Sequence, residues 1–186
     1  MVVSSADTVR IQGSSQLINA HLLKLAPQKF IHLLGNESSV SAEIVPRQVW
    51  LNFPIQVTAP TTISIKSAID QVFGIELSME QNQDQSVLTV PVIWKIRPLS
   101  TQNTIKVDVD LSWDESLEVN QIAQKGLYQL VNGSWVLVNT NIWTIQNNQV
   151  SIRSLDIPIQ GISLRIADAL NDLDIDLDGI PNSIDN

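Results

Sequence analysis

Apolar and polar residues alternate along much of this chain. In Thr104–Trp113 the apolar set Ile105, Val107, Val109, Leu111 and Trp113 interleaves with Lys106, Asp108, Asp110 and Ser112. A period of two turns one face to a core and the other to water, as in a strand packed on one side. Gln149–Arg153 and Ile162–Ile166 repeat the pattern over shorter spans. Val87–Ile96 and Arg47–Val57 are more uniformly apolar, and each is interrupted by a proline, Pro91 and Pro54. Proline cannot donate to a ladder, so both segments are expected at a sheet edge or a bulge. Leu127–Val131 and Trp135–Val138 flank Asn132-Gly133. That dipeptide tolerates positive φ at both central turn positions, which predicts a hairpin over 126–138. Gln146–Gln149 reads as a second, amide-rich turn.

Helix signals are few. Ser15 is placed to cap a short helix through Ala26, with Ile18, Leu22 and Leu25 on one face and Pro27 ending it. Ser67–Phe73 is long enough for one or two turns. Both segments are also short enough to be strands. About a dozen short strands with turns every 8–12 residues predict an all-β chain, a β-sandwich over residues 1–168. The polar run Glu80–Ser86 is the candidate seam. It either divides this region into two small Ig-like lobes or forms one long hairpin loop in a single sandwich. No tandem repeat of the length that marks propellers or solenoids is visible.

Composition sharpens this picture at three points. With 186 residues, 44% of them apolar, the chain can bury a core, and without Cys it is no disulfide scaffold. No apolar run approaches the ~18 residues that span a bilayer, so membrane insertion is not expected. The third point is charge. The chain carries −8 from 19 acids and 11 bases, yet 168–186 alone holds Asp168, Asp172, Asp174, Asp176, Asp178 and Asp185 with no base. The remainder is close to neutral and shows no basic stripe, which argues against nucleic acid as a partner.

That acidic tail carries the chain's most specific chemistry. Counting from Asp174, oxygen-bearing side chains fall at positions 1, 3, 5, 9 and 12 (Asp174, Asp176, Asp178, Asn182, Asp185), with Gly179 at position 6. A loop around Ca²⁺ supplies oxygens at this spacing, with a backbone carbonyl at position 7, here Ile180. A hard divalent cation takes six to eight oxygens at ~2.3–2.6 Å, and Gly permits the sharp turn that folds later ligands over earlier ones. Four carboxylates within twelve residues, with no Lys or Arg among them, repel one another until a cation sits between them. The competing readings are a plain edge strand, with aspartates alternating with Leu173, Ile175 and Leu177, and a simple solvating tail. Neither accounts for the Gly-Ile-Pro-Asn turn followed by an acid at position 12.

Asp174–Asn186 resembles the thrombospondin type 3 repeat, a calcium loop reading D-x-D-x-D-G-x-x-D-x-x-D-N. The matching residues are Asp174, Asp176, Asp178, Gly179, Asp185 and Asn186; Asn182 stands where the family has Asp, which keeps an oxygen and loses a charge. The resemblance covers these 13 residues, within an Asp-rich repeat region of 171–186, and implies calcium binding in a secreted or cell-surface protein. Such repeats come in series, which implies a chain excised from a longer exported protein, and the N-terminus has no signal-peptide pattern. More loosely, Leu127–Asp168 is similar to the end of β-sandwich modules of large bacterial surface proteins.

Other candidates are weaker. His21 and His32 lie among leucines, without an acid or Cys at ligand spacing, and read as structural. No G-x-S-x-G, G-x-G-x-x-G or phosphate loop is present. Asp114 and Glu115 form an acid pair, read as a wet turn. Of the five tryptophans, Trp94 and Trp113 belong to apolar faces, Trp50 lies in the Arg47–Val57 run, and Trp135 and Trp143 are candidates for exposure. The expected function is a non-catalytic extracellular structural or adhesion module rigidified by calcium, with neighbouring modules of a longer chain as partners. The alternative is a carbohydrate-binding sandwich in which Trp135 and Trp143 stack on polysaccharide.

Overall fold

The segment 104–113 sets the frame: it forms one ten-residue strand whose apolar residues are all buried and whose polar residues are not. The computed structural model describes residues 2–3, 9–12, 16–17, 23–24, 31–34, 39–44, 50–56, 60–70, 72–81, 90–99, 103–117, 122 and 124–169. Their strands are β1 (Val2–Val3), β2 (Val9–Gln12), β3 (Gln16–Leu17), β4 (Leu23–Lys24), β5 (Ile31–Leu34) and β6 (Ser39–Ile44). There follow β7 (Leu51–Gln56), β8 (Pro60–Ser67), β9 (Phe73–Gln81), β10 (Val92–Leu99) and β11 (Thr104–Trp113). The last are β12 (Lys125–Val131), β13 (Ser134–Leu137), β14 (Trp143–Gln146), β15 (Gln149–Pro158) and β16 (Ile162–Asp168).

Two seven-stranded sheets form a sandwich, ordered β13-β12-β16-β10-β9-β6-β3 and β14-β15-β11-β8-β7-β5-β2. Pairing is antiparallel from β6 to β13 in the first sheet and from β7 to β14 in the second. The core lies between them, where Ile63, Ile65, Ile75, Leu77, Trp94, Val107, Val109, Ile152 and Leu164 are fully buried. Each fully buried Leu or Ile contributes about 1.5–3 kcal/mol by leaving water, so this layer dominates stability. Strands from either side of residues 80–86 enter both sheets, and β9 and β10 are antiparallel neighbours, with Gln81 opposite Val92.

The turns follow their local chemistry. Asn132 and Gly133 both take positive φ (52° and 87°), the conformation of a two-residue hairpin that joins β12 to β13. Asn147, at φ 53°, turns β14 into β15. Between β11 and β15 the register shifts at Val107/Val109, where Ser154 takes φ 56° and its N–H donates to Asp108 Oδ1 at 2.9 Å. Gly161 (φ 82°) turns β15 into β16; a Cβ there would stand 2.7 Å from the Ile96 carbonyl oxygen.

Four expectations are corrected. Of the helix expected over 15–26, the described residues form β3 and β4 instead and the others lie outside the described residues, and Ser67–Phe73 holds the end of β8, a bend and the start of β9. Ladder pairing with strands distant in sequence outweighs the local helical pattern. For the Pro91 segment the edge alternative is corrected: Pro91 precedes β10, which runs between β9 and β16, and the Val92 N–H donates to the Val90 carbonyl at 2.7 Å, a local kink of the kind the bulge alternative expects. Pro54 keeps the expected edge character: it lies within β7 opposite Thr62 of β8, and β5 meets β7 only at Ile55 and Gln56, so among the described residues Pro54 has no ladder partner on its other side.

The fourth correction concerns repeats. Val2 pairs with Leu23, Val9 with Ile31, Gln16 with Ser39 and Ile31 with Ile55, all in parallel ladders and displaced by 21, 22, 23 and 24 residues. The chain before β8 is thus a short parallel coil, visiting a small two-stranded sheet, then the second sheet, then the first. Its turns drift in length and its strands are only two to six residues long, so side-chain self-similarity is faint.

Candidate functional site

The metal-loop residues Asp174, Asp176, Asp178, Ile180, Asn182 and Asp185 lie outside the described residues, as does His21. The structure does describe the end of β16, the strand that precedes them. β16 closes with Asp168 opposite Lys125 of β12, and the Ala169 N–H donates to the Gln124 carbonyl at 2.7 Å. Asp168 is buried there, and Lys125 donates from Nζ to Asn148 Oδ1 at 3.0 Å and lies 5.5 Å from the Trp113 ring centroid. Along the chain, four residues lie between Ala169 and Asp174. Among the described residues no three His, Cys, Asp or Glu gather at metal-holding distance. The donor set of Asp174–Asp185 is carboxylate, amide and carbonyl oxygen, which fits calcium and not a metal that prefers nitrogen or sulfur.

The aromatic candidates separate into different environments. Trp94 and Trp113 are buried in the core. Trp143 is half-buried against the same core, and its Nε1 donates to the Val138 carbonyl at 2.9 Å. Trp135 is half-buried on β13, with the Arg165 guanidinium 4.5 Å from its ring centroid and 5.8 Å from that of Tyr128. Trp135 belongs to the first sheet and Trp143 to the second.

Sequence reasoning did not find the ionic cluster on the outer face of the second sheet. There Trp50 has Lys66 Nζ 4.9 Å and the Arg153 guanidinium 5.1 Å from its ring centroid. Lys66 pairs with Asp108 at 3.4 Å and Arg153 with Asp110 at 2.7 Å. Alternation along 104–113 put both aspartates on the wet face, but their partners come from β8 and β15, a match that local sequence does not carry. On the first sheet Arg97 pairs with Glu76 at 2.8 Å, and Lys95 pairs with Glu80. The hydrogen bond and charge of Glu76 push the Arg97 pKa above its ordinary value. These pairs are partly solvated and contribute roughly 0–1 kcal/mol each.

Asp114 sits in a turn, where Oδ1 accepts from the Ser116 N–H at 2.9 Å and from Ser116 Oγ at 2.5 Å. Those two bonds hold its carboxyl below the usual range. His32 lies in β5. No protein family, no curated protein and no solved structure matches the chain.

Proposed function

We propose that this chain is a non-catalytic β-sandwich module of an extracellular or cell-surface protein, and that its Asp174–Asp185 loop binds calcium to stiffen the connection beyond β16. The observation that carries this reading is the donor spacing, with oxygen side chains at positions 1, 3, 5, 9 and 12, Gly179 at 6 and no base in the segment. Asp174, Asp176, Asp178, Asn182 and Asp185 would hold the ion with the Ile180 carbonyl. The ion's role there is mechanical: it turns mutual repulsion of carboxylates into a shared attraction. The anchor at Asp168 and Ala169 supports the reading, because a joint needs one end fixed to a rigid body. Neighbouring modules of a longer chain are the partners whose direction such a joint would set.

Calorimetric titration of the intact chain with calcium tests this. One site with a dissociation constant in the range of ~10⁻⁴–10⁻³ M, as in extracellular modules, is expected, and it is lost in Asp176→Ala/Asp178→Ala. No saturable heat, or an unchanged isotherm in the double variant, rejects it.

A further inference from the structure

The outer face of the first sheet carries a cleft of about 300 Å³ over β9, β10 and β16. The register explains it. Lys95 of β10 stands opposite Ser78 on β9 and opposite Ser163 on β16, so a long side chain lies between two short ones. The Lys95 ammonium pairs with Glu80, which stands opposite Ile93, two residues back along β10. In the other direction the Arg97 guanidinium meets Glu76 directly across the ladder, with Nη2 2.8 Å from Oε2 and Nε 3.3 Å from Oε1. Charge is drawn to both ends, and the space above the two serines stays open between the pairs.

The sides of this cleft differ in chemistry. The turn at Gly161 bounds it so close to β10 that a Cβ there would stand 3.2 Å from Arg97 Cβ, and the exposed Gln160 of the same turn lines it as well. Toward β12 the wall is Leu130, 39% exposed, with Trp135 opposite it on β13. One wall offers hydrogen bonds and the other apolar surface.

That combination discriminates among ligands. The charges of Glu76, Glu80, Lys95 and Arg97 sum to zero, and an ion entering between them would have to separate a pair already made. A neutral molecule rich in hydroxyls does not, because each hydroxyl can accept from a cation and donate to a carboxylate while both pairs stay closed. Ser78, Ser163 and Gln160 add groups that donate and accept. The apolar wall calls for a ligand that also has a face of C–H groups. A sugar ring has both, with hydroxyls around its rim and C–H bonds on its face.

We infer that this cleft is a saccharide site, which takes a neutral oligosaccharide with hydroxyls toward the Arg97–Glu76 pair and a ring face toward Leu130. Its volume lies at the lower end of the ~300–1,000 Å³ of small-molecule pockets, so it seats a short stretch of such a chain. None of its residues belongs to 174–185, so this site and the proposed calcium joint fail separately.

NMR titration of the intact isotope-labelled chain, in chelator, tests the inference. The probes are the hexaoses of cellulose, xylan, mannan, starch and chitin, with oligogalacturonate as the acidic contrast. At least one neutral hexaose should shift the amides of Ser78, Lys95 and Ser163 saturably at millimolar concentration, and oligogalacturonate should bind more weakly. Ser78→Leu/Ser163→Leu fills the cleft and leaves both ion pairs, whereas Glu76→Ala/Arg97→Ala removes the polar wall. Each should weaken binding at least tenfold, with the melting curve of the sandwich retained. Thr144→Ala, on β14 of the second sheet, should leave binding unchanged. No shift with any neutral hexaose, shifts confined to residues elsewhere, tighter binding of oligogalacturonate, binding that survives both double variants, or binding weakened as much by Thr144→Ala would each overturn it.

Discussion

Trp94 of β10 and Trp113 of β11 meet across the space between the sheets, with ring centroids 6.2 Å apart and planes tilted by 53°. The tilted geometry adds about 0.5–1.5 kcal/mol beyond area burial. Trp94 is fully buried, and its Nε1 has no hydrogen-bond partner among the described residues. An orphaned buried donor costs about 1–3 kcal/mol, so part of what this side chain gains by packing is offset. Trp94→Ala is expected to cost about 3–5 kcal/mol in denaturant melts. Trp94→Phe removes the orphan and should cost less than half of that.

Two glycines with positive φ should respond unequally. At Gly133 (φ 87°) a Cβ meets nothing within 4 Å, so Gly133→Ala carries backbone strain alone, about 1–2 kcal/mol. At Gly161 (φ 82°) the Cβ also collides with the Ile96 carbonyl, which belongs to the backbone of β10 and has little room to yield. Gly161→Ala should therefore destabilise by clearly more than Gly133→Ala. Paired urea melts decide it, and equal midpoints would contradict the geometry.

The fold was legible wherever one strand's own pattern decides its place. Thr104–Trp113 and the Asn132-Gly133 hairpin are of this kind, because period two and a positive-φ dipeptide are local facts. The coil was not legible. Val9, Ile31 and Ile55 share one parallel ladder position and are all apolar, and Gly13 and Gly35 each follow the second strand of their turn, but nothing in that faint echo distinguishes a ladder from chance. The spacing of Ile18, Leu22 and Leu25 even favoured a helix until pairing with a neighbouring turn was known. The Trp50 cluster was hidden for the same reason, since Lys66 and Arg153 reach it from distant strands. The proposed calcium loop is the reverse case, legible only in the spacing of Asp174, Asp176, Asp178, Asn182 and Asp185.

Arg165 offers a separate test of the first sheet. It is buried, and its guanidinium lies near both Trp135 and Tyr128. Lysine keeps the charge and loses the flat, weakly hydrated surface that stacks on a ring. Arg165→Lys is expected to cost about 1–2 kcal/mol and to shift Trp emission to longer wavelength. Unchanged stability and emission would deny the contact an energetic role.

Asp114 gives a prediction in pH. Its pKa is depressed in the folded chain by bonds from Ser116, so its contribution is present above the unfolded carboxylate value and is lost as pH falls through the folded one. Ser116→Ala removes the hydroxyl donor and should raise the Asp114 pKa toward the ordinary range, while the backbone bond keeps part of the depression. A carboxyl-carbon NMR titration of both proteins reads this. An Asp114 curve that does not move would refute it.

The central claim is best tested at Gly179, position 6 of the proposed Asp174–Asp185 calcium loop. Its backbone amide resonance, followed by NMR while calcium is added to the chelator-treated chain, should shift saturably, with its neighbours from Asp174 to Asp185. Amides of β16 such as Leu164 should stay in place. A Gly179 resonance that remains fixed to 10 mM calcium would contradict the account.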